Sequence, residues 1–77
     1  MSKAKTLVYE AIEEVLLIDP KTLDPDKPWY EIGIESFDLV ELIVELRDRS
    51  TITIKPKDLE NIESLNDLIA IIDQKLA

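Results

Sequence analysis

The sequence predicts an all-α fold, a small four-helix bundle with three long helices, one short helix and a long loop between the first two. Three observations lead there. Apolar residues recur at helical spacing in three separate segments, no two alternating segments are available to pair as a sheet, and the chain has 77 residues. A chain of that length builds one hydrophobic core, so residues 1–77 are expected to form a single domain. With 45% hydrophobic residues and one glycine, it has the apolar side chains to fold rather than stay disordered.

The first helix is expected over residues 6–18, where Leu7, Ala11, Ile12, Val15, Leu16 and Ile18 share a face and Asp19-Pro20 ends the run. Residues 19–35 carry Pro20, Pro25 and Pro28 without a sustained period, and read as a loop that Trp29 and Ile32 pin to the core. The second helix covers residues 36–49. Its apolar residues Leu42, Leu46, Leu39, Ile43, Val40, Val44 and Phe37 span roughly 220°, about twice the width of a core-facing stripe, so part of that arc must face outward. We assign Leu39, Leu42, Ile43 and Leu46 to the core and Phe37, Val40 and Val44, at i, i+3 and i+7, to the outer edge. The remaining sector stacks Glu35, Asp38, Glu41, Glu45 and Asp48 into an acidic ridge. Residues 51–54 alternate, but Pro56 follows and no partner strand exists, so they read as extended loop. A short helix over 57–61 comes next. The last helix, over 64–76, opens on a Ser64/Asp67 variant of the capping box and presents Leu65, Leu68, Ile69, Ile72 and Leu76 on one face.

Composition excludes much chemistry. There is no cysteine and no histidine, which removes disulfides, Cys/His zinc sites, thiol nucleophiles and every Ser-His or Cys-His pairing. No catalytic residue and no metal site are therefore expected. The stretch 24–35 begins with Asp and ends with Glu as a calcium loop does, but Trp29 stands where that loop turns on a glycine. A serine hydrolase would also need a G-x-S-x-G elbow, which is missing. The net charge of −8 repels nucleic acid and anionic membrane surfaces, so the expected partners carry basic surfaces. The same self-repulsion predicts stabilisation by salt or divalent cations. No apolar run reaches secretory or membrane-spanning form, and a cytoplasmic, monomeric protein is expected.

The one glycine, Gly33, precedes Ser36 by three residues at the start of the second helix. Glycine permits a positive φ, and a serine at a helix N-terminus places a hydroxyl where orphan N–H groups and the positive dipole end favour an anion. Spacing alone leaves two readings: an ordinary N-cap, the commoner use of serine there, or an anion-bearing site.

The run Ile32-Gly33-Ile34-Glu35-Ser36-Phe37-Asp38-Leu39-Val40-Glu41-Leu42 resembles the L-G-x-D-S-L-D-x-V-E-L motif of the acyl carrier proteins. The likeness extends to the first helix, the proline-containing loop, the Ile52-Thr53-Ile54 stretch and the Asn61-Ile62-Glu63-Ser64-Leu65 run into the last helix. What the resemblance implies is a non-catalytic carrier. Its Ser36 would receive 4′-phosphopantetheine from coenzyme A through a separate magnesium-using phosphopantetheinyl transferase and hold acyl groups as thioesters. Ser36 has no histidine to activate it, so its activation must come from another enzyme. The implied partners are that transferase, an acyl-loading ligase or synthase, and acyltransferase or ketosynthase-type enzymes. Phe37, Val40 and Val44 would dock them, while Glu35, Asp38, Glu41, Glu45 and Asp48 steer their basic surfaces toward Ser36.

The sequence departs from the motif at Glu35, where aspartate is usual, and at Phe37, where leucine is usual. Arg47 and Arg49 replace acids, and Ser50 stands where an aromatic residue is common. Arg47 continues the 37, 40, 44 strip and would repel a basic group on a partner, which suggests a dedicated lipid, polyketide or other specialised pathway. Phe37 also resembles the residue after the serine in D-alanyl carriers, which keeps an aminoacyl or peptidyl carrier as one alternative. The alternative of another class is an acidic helical interaction module that is never modified.

Overall fold

The computed structural model describes residues 3–76 as four α-helices, with no strand among them: α1 (Lys3–Val15), α2 (Ser36–Ser50), α3 (Pro56–Leu59) and α4 (Leu65–Leu76). The four-helix expectation holds. α1 packs against both α2 and α4, burying Ala4, Val8, Ala11 and Ile12 at the spacing of one helical stripe. Leu42 and Leu46 of α2, Leu65, Leu68 and Ile72 of α4, and Trp29, Ile34, Ile52 and Ile62 from the segments between the helices complete the interior. Each such Leu or Ile contributes roughly 1.5–3 kcal/mol through burial. The radius of gyration is 11.1 Å.

α1 begins and ends earlier than its apolar pattern suggests. The period runs on through Ile18, but the last helical bond is from Leu16 N to Ile12 O at 3.0 Å, and Leu17 then turns left-handed at φ 57°. Ile18 therefore packs half-buried from the loop, while Leu17 is left 85% exposed. The earlier start brings in Ala4, and the buried face runs through Val8, whereas Val15 stays outside the core cluster.

The long connection is tied down in sequence. Asp19 accepts from Lys21 N (3.0 Å) and from the Thr22 hydroxyl (2.7 Å, on its carbonyl) around a 3-10 turn at Pro20–Thr22. Further on, Asn66 N donates to Pro25 O (3.0 Å), Trp29 N to Glu63 O (3.1 Å), and the Trp29 indole N–H to Ile62 O (3.1 Å). All three bonds reach the segment that starts α4. Trp29 is buried and Ile32 packs on the core, as expected, and Ile34 is buried as well.

α3 is shorter than the predicted 57–61. It begins at Pro56, and the Asp58 carboxylate accepts from Lys55 N at 3.0 Å. At α4 the Ser64 hydroxyl accepts from Asp67 N (3.3 Å), but Asp67 reaches back to Glu63 N (3.0 Å) instead of completing a reciprocal box with Ser64. Ser64 also forms an isolated antiparallel bridge with Pro28, which ties the start of α4 to the long connection.

Candidate functional site

Gly33 adopts φ +80°, and a Cβ there would meet nothing within 4 Å. Backbone conformation, and not crowding, therefore calls for glycine. The turn follows a second 3-10 segment at Trp29–Glu31 and is closed by bonds from Ile32 N (3.2 Å) and Ile34 N (3.0 Å) to the same Trp29 carbonyl. Because Trp29 is anchored to the start of α4, this turn delivers the following residues to a fixed position. Glu35 arrives extended (φ −93°, ψ 169°) as the N-cap of α2, its N–H donating to Asp38 Oδ2 at 3.1 Å and its carbonyl accepting the first helical bond from Leu39 N at 3.0 Å.

Ser36 is consequently the first helical residue and not the N-cap, which overturns the plainer of its two readings. Its side chain is exposed, and its hydroxyl makes no hydrogen bond to any described residue. The other described serines differ. Ser50 donates to Leu46 O (2.6 Å), and Ser64 is buried as a cap. The orphan N–H groups and positive dipole end of a 15-residue helix lie beside Ser36 Oγ, so a phosphodiester on that oxygen is electrostatically favoured and sterically free.

Around this point the surface is apolar on one side and acidic on another. Phe37, Val40 and Val44 are 70%, 55% and 42% exposed. Leu39 packs on the core, but Ile43, assigned to the core from the sequence, is half-buried outside it, because the interior side of α2 narrows to Leu42 and Leu46 against α1. The acidic ridge is not uniform either. Glu35, Glu41 and Asp48 are exposed, Asp38 is half-buried and occupied by the Glu35 N–H, and Glu45 is spent on Arg49.

Arg49 binds Glu45 through Nε (2.7 Å), Glu14 through Nη2 and Glu10 through Nη1 (3.7 Å), joining α2 to α1. The hydrogen bonds that its guanidinium donates to Glu45 and Glu14 raise its pKa further. Arg47, two residues nearer the serine, is exposed and continues the apolar strip. Beyond α2, the Lys55 N–H holds the Asp58 carboxyl below the usual carboxylate range, with Lys75 Nζ at 3.5 Å adding to the effect.

The sequence reading missed one feature of the site. An open cleft of about 530 Å³ adjoins Ser36, lined by Trp29, Tyr30, Gly33, Ile34, Glu35, Ser36 and Leu39. Tyr30 stands on its rim at 81% exposure. An aromatic residue inside a loop otherwise rich in charge and proline was the available signal. No group of three or more potential ligand residues able to hold a metal occurs among the described residues, and no described helix is long and apolar enough to cross a membrane.

Comparison with known proteins gives a consistent result. Residues 6–72 match the family model described as a phosphopantetheine attachment site. The chain is 32% identical over 79 residues to an acyl carrier protein of an Exiguobacterium species, covering 99% of this chain and all of the relative. It is 34% identical over 70 residues to a meromycolate extension acyl carrier protein of Mycobacterium tuberculosis, covering 90% of this chain and 60% of the relative. The fold superposes on the crystal structure of an acyl carrier protein from Thermotoga maritima with a TM-score of 0.80 and 24% identity, over 96% of this chain and 92% of that one. The chain thus belongs to the acyl carrier protein family, non-catalytic carriers that hold 4′-phosphopantetheine covalently.

Proposed function

We propose that Ser36 is the attachment point, on a single carrier domain spanning residues 1–77, and that the domain serves a dedicated acyl pathway. The observation that carries the first part is an exposed hydroxyl, at the first position of α2, on which the fold makes no claim. In the transfer, Ser36 Oγ loses its proton to a base on the transferase and attacks the β-phosphorus of coenzyme A. The pyrophosphate P–O bond breaks and adenosine 3′,5′-bisphosphate leaves. The bound arm supplies a thiol for thioester formation. This chain supplies the position of the oxygen, a favourable helix terminus for the phosphodiester, and a docking surface.

Phe37, Val40 and Val44 give that surface its apolar contact, and exposed Glu35, Glu41 and Asp48 favour approach of basic partner surfaces. Asp38 contributes its charge while capping the helix. Arg47 at the far end of the strip selects against partners that present a cation there, which supports dedicated over general use. The meromycolate relatives favour a lipid cargo, with a ligase or synthase to load it and acyltransferase or ketosynthase-type enzymes to receive it.

Intact-mass measurement after incubation with coenzyme A and a broad-specificity phosphopantetheinyl transferase tests the attachment. The expected result is a gain of one phosphopantetheine that Ser36→Ala abolishes, whereas no gain favours an unmodified interaction module. Identifying the acid held as thioester on protein from its native host tests the cargo, and an amino acid there would replace the acyl reading by an aminoacyl one.

A further inference from the structure

The cleft beside Ser36 has a built floor. Trp29 is buried with its indole N–H fixed on Ile62 O at 3.1 Å, Ile34 is buried, and Leu39 packs on the core from the first turn of α2. Its wall is Tyr30, whose ring gains nothing from the fold at 81% exposure. Over Gly33 the cleft has no side chain, and even a Cβ there would point into open space. Glu35 is the one charged residue in the lining, and Ser36 itself stands at the edge.

We propose that this cleft is the resting site of the pantetheine arm on Ser36, and that Tyr30 is the residue that positions it. The inference rests on the carrier reading. The occupant follows from tethering, because a group joined to Ser36 Oγ is held beside the cleft at an effective concentration no free ligand matches. Its chemistry fits as well. The part of the arm nearest the phosphate carries a gem-dimethyl carbon, which suits the exposed Tyr30 ring and the half-buried Leu39 side chain, and the amides further along remain open to water.

The test uses holo-protein made with coenzyme A and a transferase, with complete modification established by intact mass for each variant. The pantoyl methyl resonances are then compared with those of free 4′-phosphopantetheine. The expected result is an upfield ring-current shift and a nuclear Overhauser contact to Tyr30, both lost in Tyr30→Ala and both kept in Tyr30→Phe. Methyl resonances at the free position in fully modified wild-type protein would overturn the proposal. So would a shift that survives Tyr30→Ala unchanged, which would remove Tyr30 as the residue that positions the arm. Failure to gain any mass at Ser36 is a different outcome, and it removes the carrier reading together with this one.

Discussion

The two ends of α2 are built on opposite plans. At the C-terminal end polar groups are settled inward: Arg49 holds Glu10, Glu14 and Glu45, the Ser50 hydroxyl returns to Leu46 O, and Thr51 N closes on Arg47 O at 2.9 Å. At the N-terminal end, Ser36 makes no such bond, Phe37 is mostly exposed, and Glu35 and Glu41 face solvent. Serine thus stands at both ends of one helix with opposite consequences. The stable end fixes the helix on α1, and the other end leaves an oxygen, an apolar strip and negative charge available to other molecules.

The comparison is sharpened most by truncating one large side chain at each end. Leu46→Ala should cost about 2–5 kcal/mol, because the side chain is fully buried against α1. Phe37→Ala should change stability by no more than about 0.5 kcal/mol and slow turnover by enzymes acting on the carrier. Denaturant unfolding and a loading assay on the same two variants separate these effects. If Phe37→Ala proved as destabilising as Leu46→Ala, the outward assignment of the strip would be lost.

Charge gives the next contrast. The net charge of −8 predicts that melting temperature rises from low to moderate ionic strength. Arg49→Gln should lower the melting temperature at low salt and make it more responsive to salt, since three carboxylates gathered on Arg49 are left facing one another. Arg47→Glu, on an exposed residue, should leave melting almost unchanged and alter partner turnover instead. Equal salt dependence in wild type and Arg49→Gln would contradict the role given to this arginine.

The smallest effect concerns Asp58, in α3 beyond the settled end. Its folded pKa lies below its unfolded value, chiefly through the Lys55 N–H, so its contribution to stability is present above the ordinary carboxylate pKa of about 4. That contribution is lost as pH falls through the lowered folded value. Asp58→Asn should therefore melt below wild type at neutral pH, and the gap should close on acidification. A gap that widened toward acid would reverse the assigned sign.

Much of this architecture is legible in the sequence because it is local. The stripe of α4 and the overly wide apolar arc of α2 each lie within one element, the Gly33-to-Ser36 spacing spans three residues, and the motif around Ser36 carries the family. What was not legible depends on contacts between distant positions or on backbone choices that the pattern does not encode. Helical periodicity continues past Leu17, yet its left-handed conformation ends α1. Glu45 looks like one more acid on the ridge until Arg49 is seen to bring it together with Glu10 and Glu14 from another helix. The hold on the long loop comes from the Trp29 indole reaching Ile62, 33 residues away, and the cleft that this creates gives Tyr30 a context that its neighbours in sequence do not.

The central claim is that the Ser36 oxygen is free of the fold and committed to cargo. Thermal unfolding and transferase-dependent mass gain, measured together on Ser36→Ala and Ser64→Ala, test it most directly. Ser36→Ala should keep its melting temperature and gain no mass, whereas Ser64→Ala, which removes the cap of α4, should lose about 0.5–2 kcal/mol and still accept the arm. A Ser36→Ala protein that melts as early as Ser64→Ala, or that is modified like wild type, would contradict the account.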